Sequence, residues 1–349
     1  MFGAMRRATL RTFAGGTAMV VSVALGQTQG AIVVPEVEGM VFIPAGDFLM
    51  GSPEHEGHAN KDEMPQRRVY VPAFFIDQFE VSNIEYKRFV DATGYPAPPS
   101  WVDNKYPIDD DFFPVSEVSW WDATCYARWM GKRLPTETEW EKAARGTDGR
   151  RFPWGDKFSS DLANNAEGIM ETTAKLEGAS PFGVVNMVGN VAEWTANIYD
   201  PNPKREIVLP PELGGSRPPQ VATPPAGETP SPPRDARPSA PGMGTIPRAG
   251  EVGGRAPGPP HLGLPAARAL ASDEIDGEPE KRPDARLLFM TQAELQDTRH
   301  RVYRGGSYNN YASFLRCANR EKEKPGAKWD YIGFRCAMDP PGARLPADR

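Results

Sequence analysis

The stretch GKRLPTETEW, residues 131–140, carries the clearest local signal in this 349-residue chain. Thr136, followed three residues later by Glu139, forms a capping box, in which each side chain satisfies a backbone N–H group at the start of a helix. The pattern predicts a helix that begins after Thr136 and ends at Gly146, because glycine is favoured just past a helix end. One short and sharply bounded helix is therefore expected here.

Two more helix starts lie before this stretch. Ser82 is placed to cap a helix that runs to about Thr93. Ser119, followed three residues later by Asp122, forms a pattern close to a capping box, with Asp in the place of Glu or Gln, and predicts another helix. The sequence thus predicts three capped helices.

The strand signals are short and scattered. In residues 40–50, apolar residues alternate with other residues around a Pro-Ala-Gly turn, which predicts a hairpin. Residues 68–79 are rich in β-branched and aromatic residues, which predicts further strand. Residues 301–339 predict two strands that flank a polar loop. The expected fold class is therefore α+β, with short mixed strands, about three helices and many irregular loops.

Proline is concentrated in one segment of the chain. The sequence has 37 Pro, and residues 201–260 hold 17 Pro and 9 Gly, a composition that cannot bury enough apolar surface to offset its ordering entropy. We interpret this segment as part of a disordered insertion in one domain. The predicted organisation is an export signal at 1–26, a linker at 27–35, one domain at 36–200 and 290–340, the insertion at 201–289 and a tail at 341–349.

The composition excludes two classes. A net charge of −6 lacks the basic excess of a nucleic-acid-binding protein, and 39% hydrophobic with 25% charged residues excludes disorder of the whole chain. The N-terminus resembles an export signal, with Arg6, Arg7 and Arg11 before a mildly apolar run. The Arg6-Arg7 pair is also a feature of twin-arginine signals. The chain is expected in the periplasm or outside the cell, without a permanent membrane span.

Three cysteines are present, Cys125, Cys317 and Cys336, and an oxidising compartment would allow one disulfide among them. No Cys/His cluster with metal-ligand spacing accompanies them, so a zinc site is not expected. From the residues alone, the pairing stays open.

Six segments of the chain carry a further signal: MVFIPAGDFLMGS at 40–52, 115–129, GKRLPTETEW at 131–140, NMVGNVAEWT at 186–195, RGGS at 304–307 and GFRC at 333–336. In this order they resemble the formylglycine-generating enzyme, or sulfatase-modifying factor, family. The resemblance implies a variant of the C-type-lectin fold. Active members of the family oxidise a cysteine of a sulfatase peptide with copper(I) bound by two cysteines just beyond a GGS motif.

This chain departs from the family at the copper site. Ser307 is followed by Tyr308-Asn309-Asn310 and by no cysteine before Cys317. Copper(I) is a soft ion that requires thiolates, so copper binding and formylglycine formation by the copper route are not expected, and no catalytic residue is assigned. The resemblance matches Cys317 and Cys336 to two family cysteines that form structural disulfides with other elements. The positions of their two disulfide partners hold Ala144 and Ala127 in this chain.

The resemblance also implies structural calcium. The family's calcium turn corresponds to Asn186, Gly189, Val191 and Glu193, where a carboxylate and backbone carbonyls would supply oxygen ligands. A second site would use Asn164 and Asn165, with Glu171 as the nearest acidic partner. The former active-site pocket is expected to be a ligand-binding site; its lining would be Trp194, Ser307, Tyr308, Asn309, Asn310 and Arg316.

Three functional interpretations remain open. In the first, the chain is an exported maturation or binding factor that uses this pocket for a protein or small ligand. Alternatively, it is an enzyme of different chemistry on the same fold, either a periplasmic maturation oxidase or a copper-independent formylglycine-type enzyme. The third interpretation is a lectin-fold display module whose Asn/Tyr-rich loop recognises partners. The sequence does not decide whether the chain is an enzyme.

Overall fold

The structure, a computed structural model, describes residues 18–20, 33–202 and 284–340. Most of the predicted export signal, part of the linker, most of the Pro-rich insertion and the tail from 341 lie outside the described residues. The described residues belong to one compact unit. Within the described ranges, no helix is long and apolar enough to cross a membrane.

The helices begin where the capping signals predict. Ser82, Ser119 and Thr136 each form a capping box with the third helical residue, and the helix after Thr136 ends at Gly146. A fourth short helix, which we did not predict, starts from a fourth capping box at Thr291. The helices are α1 (Asn83–Thr93), α2 (Trp120–Trp129), α3 (Glu137–Arg145) and α4 (Gln292–Gln296); 3-10 turns span Lys61–Glu63, Leu176–Gly178 and Ala285–Leu288.

Eleven short strands among the described residues form four small sheets. The largest has the order β10-β7-β8-β9, a three-stranded sheet has the order β11-β6-β3, and β4-β5 and β1-β2 are antiparallel pairs. The strands are β1 (Ala18–Val20), β2 (Val33–Pro35), β3 (Met40–Ile43), β4 (Gly46–Met50), β5 (Arg67–Val71), β6 (Phe74–Asp77), β7 (Ala192–Ile198), β8 (Arg301–Arg304), β9 (Arg320–Glu323), β10 (Ile332–Gly333) and β11 (Ala337–Met338). Short strands, four helices and long connections confirm the α+β class.

The hairpin predicted at residues 40–50 is wrong. Both strands form, but β3 pairs with β6 and β4 pairs with β5. The turn between them is held by the Lys142 ammonium, which donates to the carbonyls of Pro44 at 2.5 Å and Gly46 at 3.0 Å. The turn therefore passes the chain from one sheet to the next, instead of pairing its own strands.

The core has two parts. One packs α1 and α2 against Trp194 and Phe334, and the other packs α3, with Trp140 at its centre, against β3 to β6. The described residues resume at Asp284, and Phe289 packs on Phe89 with ring centroids 5.7 Å apart. The boundary at 290 stays a prediction.

Candidate functional site

The RGGS turn at residues 304–307 follows β8 and is built for close packing. Gly305 and Gly306 have φ values of 91° and 62°. A Cβ on Gly306 would lie 2.8 Å from Leu315 and 3.0 Å from the Phe314 carbonyl, so only glycine fits both the backbone and the space. The buried Arg304 anchors the start of the turn by pairing with the Glu141 carboxylate.

Ser307 closes this turn and does not line an open pocket, which corrects the sequence-based expectation. It is fully buried. Its hydroxyl donates to Asn309 Oδ1 at 2.7 Å, and its backbone N–H donates to Asn310 Oδ1 at 2.8 Å. Among the described residues, no histidine or carboxylate bonds to the hydroxyl, so no general base activates it there as a nucleophile. Asn309 is exposed and Asn310 is partly exposed, and both amide oxygens face inward to the turn.

Two other predicted pocket residues also lie elsewhere. Trp194 is fully buried in the core, where its indole N–H donates to the Val118 carbonyl at 2.9 Å. Arg316 is buried and ion-paired with Glu63, and its side chain also donates to the His58 carbonyl at 2.7 Å. The first half of β7 is buried on both faces, and the buried Glu63 carboxylate draws the Arg316 side chain inward. Both are therefore corrected to structural roles.

Arg316 instead borders a separate cavity of about 290 Å³. Arg145 and Arg151 also line it, together with Ser52 and Asp156. The guanidinium groups of Arg145 and Arg316 donate hydrogen bonds to carboxylates and carbonyls of the protein itself. This cavity is distinct from the RGGS turn, and the six predicted pocket residues do not form one pocket.

Aromatic side chains at and near the predicted site also reach solvent. Tyr308 is partly exposed and its hydroxyl donates to Asp330 at 3.4 Å. Trp329, 45% exposed, stacks on Tyr331 with ring centroids 6.0 Å apart. Trp101 is buried against Tyr86 and Tyr106.

The three cysteines cannot replace the missing copper ligands. Cys125, Cys317 and Cys336 are all buried and unpaired, so the disulfide that export would allow is not formed in the structure. Cys317 shares one half of the core with Ala144, and Cys336 shares the other half with Ala127, so the implied partner position holds a methyl group in each case. Burial raises the pKa of Cys125 and of Cys317 to about 12, which keeps both as unreactive thiols.

The predicted calcium turn packs directly under the RGGS turn. The Gly189 N–H donates to the Gly305 carbonyl at 3.1 Å, and the Tyr308 N–H donates to the Asn190 carbonyl at 2.8 Å. Asn186, Gly189 and Asn190 have positive φ values, which gives the turn its tight curvature. Val191 is buried next to it. The two motifs therefore support each other's backbone.

Glu193 already has a cationic partner. Its two carboxylate oxygens each accept from the Arg335 guanidinium at 2.7 Å, and one also accepts from the Trp140 indole N–H at 2.8 Å. A calcium ion would compete with this guanidinium for the same oxygens, so Asn186, Gly189, Val191 and Glu193 do not fit the ion as arranged here. Calcium at this turn stays a prediction of the resemblance; a fall in melting temperature on chelation, reversed by calcium, would support it.

The second calcium site fits no better. The buried Asn164 donates to the Gly168 carbonyl at 2.6 Å and to Asn190 Oδ1 at 3.1 Å, and it acts as a turn residue. Asn165 is partly exposed, and Glu171 is exposed. Across the described ranges, no group of three or more His, Cys, Asp or Glu residues is placed to hold a metal ion.

Glu80 is a buried carboxyl group that sequence reasoning missed. It accepts from the side-chain amides of Asn186 at 3.1 Å and Asn190 at 2.9 Å. Burial raises its pKa from 4.5 to about 7; the Arg335 charge opposes that rise, and the Glu193 charge adds to it. A glutamate between the apolar Phe79 and Val81 was the signal in the sequence.

Comparison with known proteins agrees with this architecture. Residues 31–340 match the family described as the sulfatase-modifying factor enzyme 1-like domain, and the chain belongs to this family. Over 215 residues it is 34% identical to the formylglycine-generating enzyme of Mus musculus, an alignment that covers 45% of this chain and 58% of the mouse protein. The chain therefore spans less than two thirds of that enzyme's length.

A further relative and a solved structure are also similar to this chain. A protein of Bos taurus, the inactive C-alpha-formylglycine-generating enzyme 2, is 34% identical over 215 residues, covering 46% of this chain and 71% of the bovine protein. The structure of PvdO from Pseudomonas aeruginosa matches with a TM-score of 0.50 at 21% identity, over 86% of this chain and 94% of PvdO. The last match is one of fold alone and confirms the predicted α+β, C-type-lectin-like class.

Proposed function

We propose that this chain is an exported, non-oxidase member of its family that binds a partner through the surface beside the RGGS turn. The proposed role is maturation of, or binding to, another exported protein or a small ligand. The observation that carries the proposal is that no cysteine stands between Ser307 and Cys317, where the family's oxidases hold the copper-binding pair, and that the amide oxygens of Asn309 and Asn310 face Ser307.

The chemistry of this turn supports binding over oxidation. Amide oxygens are hard ligands and do not stabilise copper(I), whereas the three thiols are buried elsewhere. The family includes proteins named as inactive, such as the bovine relative, so loss of the oxidase chemistry has a precedent on this fold. The export part of the proposal rests on the arginine-rich and then apolar N-terminus.

The exposed aromatic residues supply the surface for such a partner. Tyr311 and Trp329 are 82% and 45% exposed, and Phe314, three residues after Tyr311, is 42% exposed. Aromatic side chains give large contact areas at low conformational cost, and they are enriched at the centres of protein interfaces.

The proposal predicts partner capture that depends on this surface. Chemical cross-linking in a cell-envelope extract of the source organism, followed by mass spectrometry, would compare the wild-type chain with Tyr308→Ala and Trp329→Ala. We expect specific partners of the wild type to be lost from both variants. Tyr70→Ala is the matched control, because Tyr70 is an exposed aromatic residue on β5, away from the RGGS turn. Identical partners for all four proteins would contradict the proposal.

A further inference from the structure

The cavity of about 290 Å³ that Arg316 borders lies where three segments of the chain meet. Its lining comes from residues 52–56 after β4, from residues 145–156 at the end of α3 and in the loop that follows, and from residues 316–318 before β9. Its volume is close to the lower end of the range for ligand pockets, so it suits a small molecule.

Hydrogen bonds between the three segments hold the cavity in shape. The Arg145 guanidinium donates to the carbonyls of Gly51 at 2.7 Å and Gly149 at 2.6 Å. The Cys317 N–H donates to the Arg151 carbonyl at 2.9 Å. Each segment is therefore bonded to another segment of the lining, and the cavity is a preformed feature of the fold.

The floor of the cavity consists of buried groups that already have partners. Arg145 and Arg316 are each 2% exposed. Arg145 pairs with Glu141 at 2.8 Å, and Arg316 pairs with Glu63. Glu141 also pairs with Arg304, which does not line the cavity. These three arginines share two carboxylates, so the floor has one positive charge in excess.

The rim of the cavity has the opposite excess. Arg151 and Glu56 are partly buried there, and Asp156 is exposed. Arg151 pairs with Glu56 at 2.8 Å, and the Asp156 carboxylate accepts from the Arg151 backbone N–H at 3.1 Å. Among the described residues, Asp156 forms no ion pair, so the rim has one negative charge in excess.

The Arg151 guanidinium keeps donors for a further acceptor. A guanidinium carries several N–H donors, and in the described part of the chain Glu56 is the one carboxylate paired with this group. The Nε atom of Arg151 has no hydrogen-bond partner among the described residues. A second carboxylate, supplied by a ligand, can therefore bind to Arg151.

The balance of charge selects the class of ligand. A phosphate or a divalent cation would bring two charges of one sign into a cavity whose own charges already cancel. A zwitterion brings no net charge and still pairs at both of its ends. Because Arg151 and Asp156 are hydrogen-bonded to each other, they match a ligand whose two charged groups stand on one carbon atom.

We propose that this cavity binds a free α-amino acid, with the carboxylate of the ligand on the Arg151 guanidinium and its ammonium group on the Asp156 carboxylate. Arg145 and Arg316 hold the floor and do not pair with the ligand. The site is separate from the surface beside the RGGS turn and does not rest on the proposed function.

Equilibrium dialysis followed by calorimetry tests this assignment. The full chain is dialysed against an equimolar mixture of the standard amino acids, and mass spectrometry measures which of them the protein retains. The retained amino acid is then titrated by calorimetry beside its N-acetyl form, which lacks the ammonium, and its amide form, which lacks the carboxylate. We expect each blocked form to bind about tenfold or more weakly, because each loses one charge-assisted hydrogen bond.

The double variant Arg151→Gln/Asp156→Asn removes both rim charges that the ligand needs and leaves the net charge unchanged. It should lose the binding, and Asp156→Asn alone should bind the free and N-acetyl forms equally. The matched control is Arg150→Gln/Asp148→Asn, which removes a neighbouring ion pair, 2.7 Å long, whose two residues do not line the cavity. This control should bind like the wild type, and circular dichroism checks that all variants fold.

Three results would overturn the inference. The first is that the wild type retains no amino acid, and the second is that the free and blocked forms bind equally well to the wild type. The third is an equal loss of binding in both double variants, because the charges that line the cavity would then have no specific role.

Discussion

Glu80 makes the stability of this protein depend on pH. Its pKa is about 7 in the folded chain against an ordinary 4.5, so the folded state binds the proton more tightly than the unfolded state. The stabilising contribution is present in full below pH 4.5 and is lost as the pH rises through 7. The unfolding free energy should therefore fall by about 3 kcal/mol between pH 4.5 and pH 8 on this account.

Urea unfolding at pH 5 and pH 8 measures this effect. The wild type is expected to be less stable at pH 8, and Glu80→Gln, which cannot ionise, is expected to show a much smaller difference between the two conditions. A pH difference of the same size in both proteins would show that other groups cause it. Glu171→Gln, at an exposed carboxylate, is the control that should keep the wild-type behaviour.

The side chains that sequence reasoning misplaced share one property, which is that their polar groups find partners inside the protein. Ser307 and Arg316 look like site residues in the sequence because they are polar and adjoin a family motif. The structure turns the Ser307 hydroxyl to Asn309 and the Arg316 guanidinium to Glu63, 253 positions away. No local pattern shows such a distant carboxylate, so the direction of these side chains could not be predicted.

Local elements, in contrast, follow the sequence closely. The three predicted helices start at their capping residues because the cap, the first turn and the end signal all lie within about a dozen residues. The fourth cap, Thr291 with Glu294, carries the same signal and was missed because it borders the Pro-rich segment. Strand pairing depends on distant partners, which explains why residues 40–50 form both predicted strands and yet no hairpin.

The RGGS turn is the element on which the candidate site depends, and Gly306→Ala tests its packing. Gly306 has φ +62°, and a Cβ there would meet Leu315 at 2.8 Å. Gly39→Ala is the matched control, because Gly39 has φ +73° with nothing within 4 Å. We expect about 1 kcal/mol of destabilisation at Gly39 from the backbone alone. At Gly306 about 1–3 kcal/mol more is expected from overpacking.

Thermal unfolding of both variants gives this difference. Equal losses at the two glycines would mean that the turn has room for a side chain, and the tight arrangement of Ser307 with Asn309 and Asn310 would then need revision.

At the scale of the whole molecule, the order of the motifs predicts the fold well. The blocks at 131–140, 186–195 and 304–307 meet in the structure, where Trp140 bonds to Glu193 and packs on Gly305. These contacts join segments far apart in the chain, and they are recognisable from the sequence only because the family repeats them in one order. The Pro-rich segment separates the blocks at 186–195 and 304–307 in the sequence, and its place as an insertion in one domain stays a prediction.

Function is less predictable than fold at this scale, because it depends on a few positions whose residues differ between members of the family. The stretch after Ser307 holds two asparagines and no cysteine before Cys317, so the turn lacks the thiolates that copper(I) requires.

The central claim is that this domain keeps the family fold without its copper-dependent oxidation of cysteine. The most direct test incubates the full chain with copper(I), oxygen and a sulfatase-type Cys-x-Pro-x-Arg peptide and measures the peptide by mass spectrometry, with the mouse formylglycine-generating enzyme as the positive control. We predict aldehyde formation with the mouse enzyme and unchanged peptide with this chain. Copper-dependent conversion of the peptide by this chain would contradict the claim.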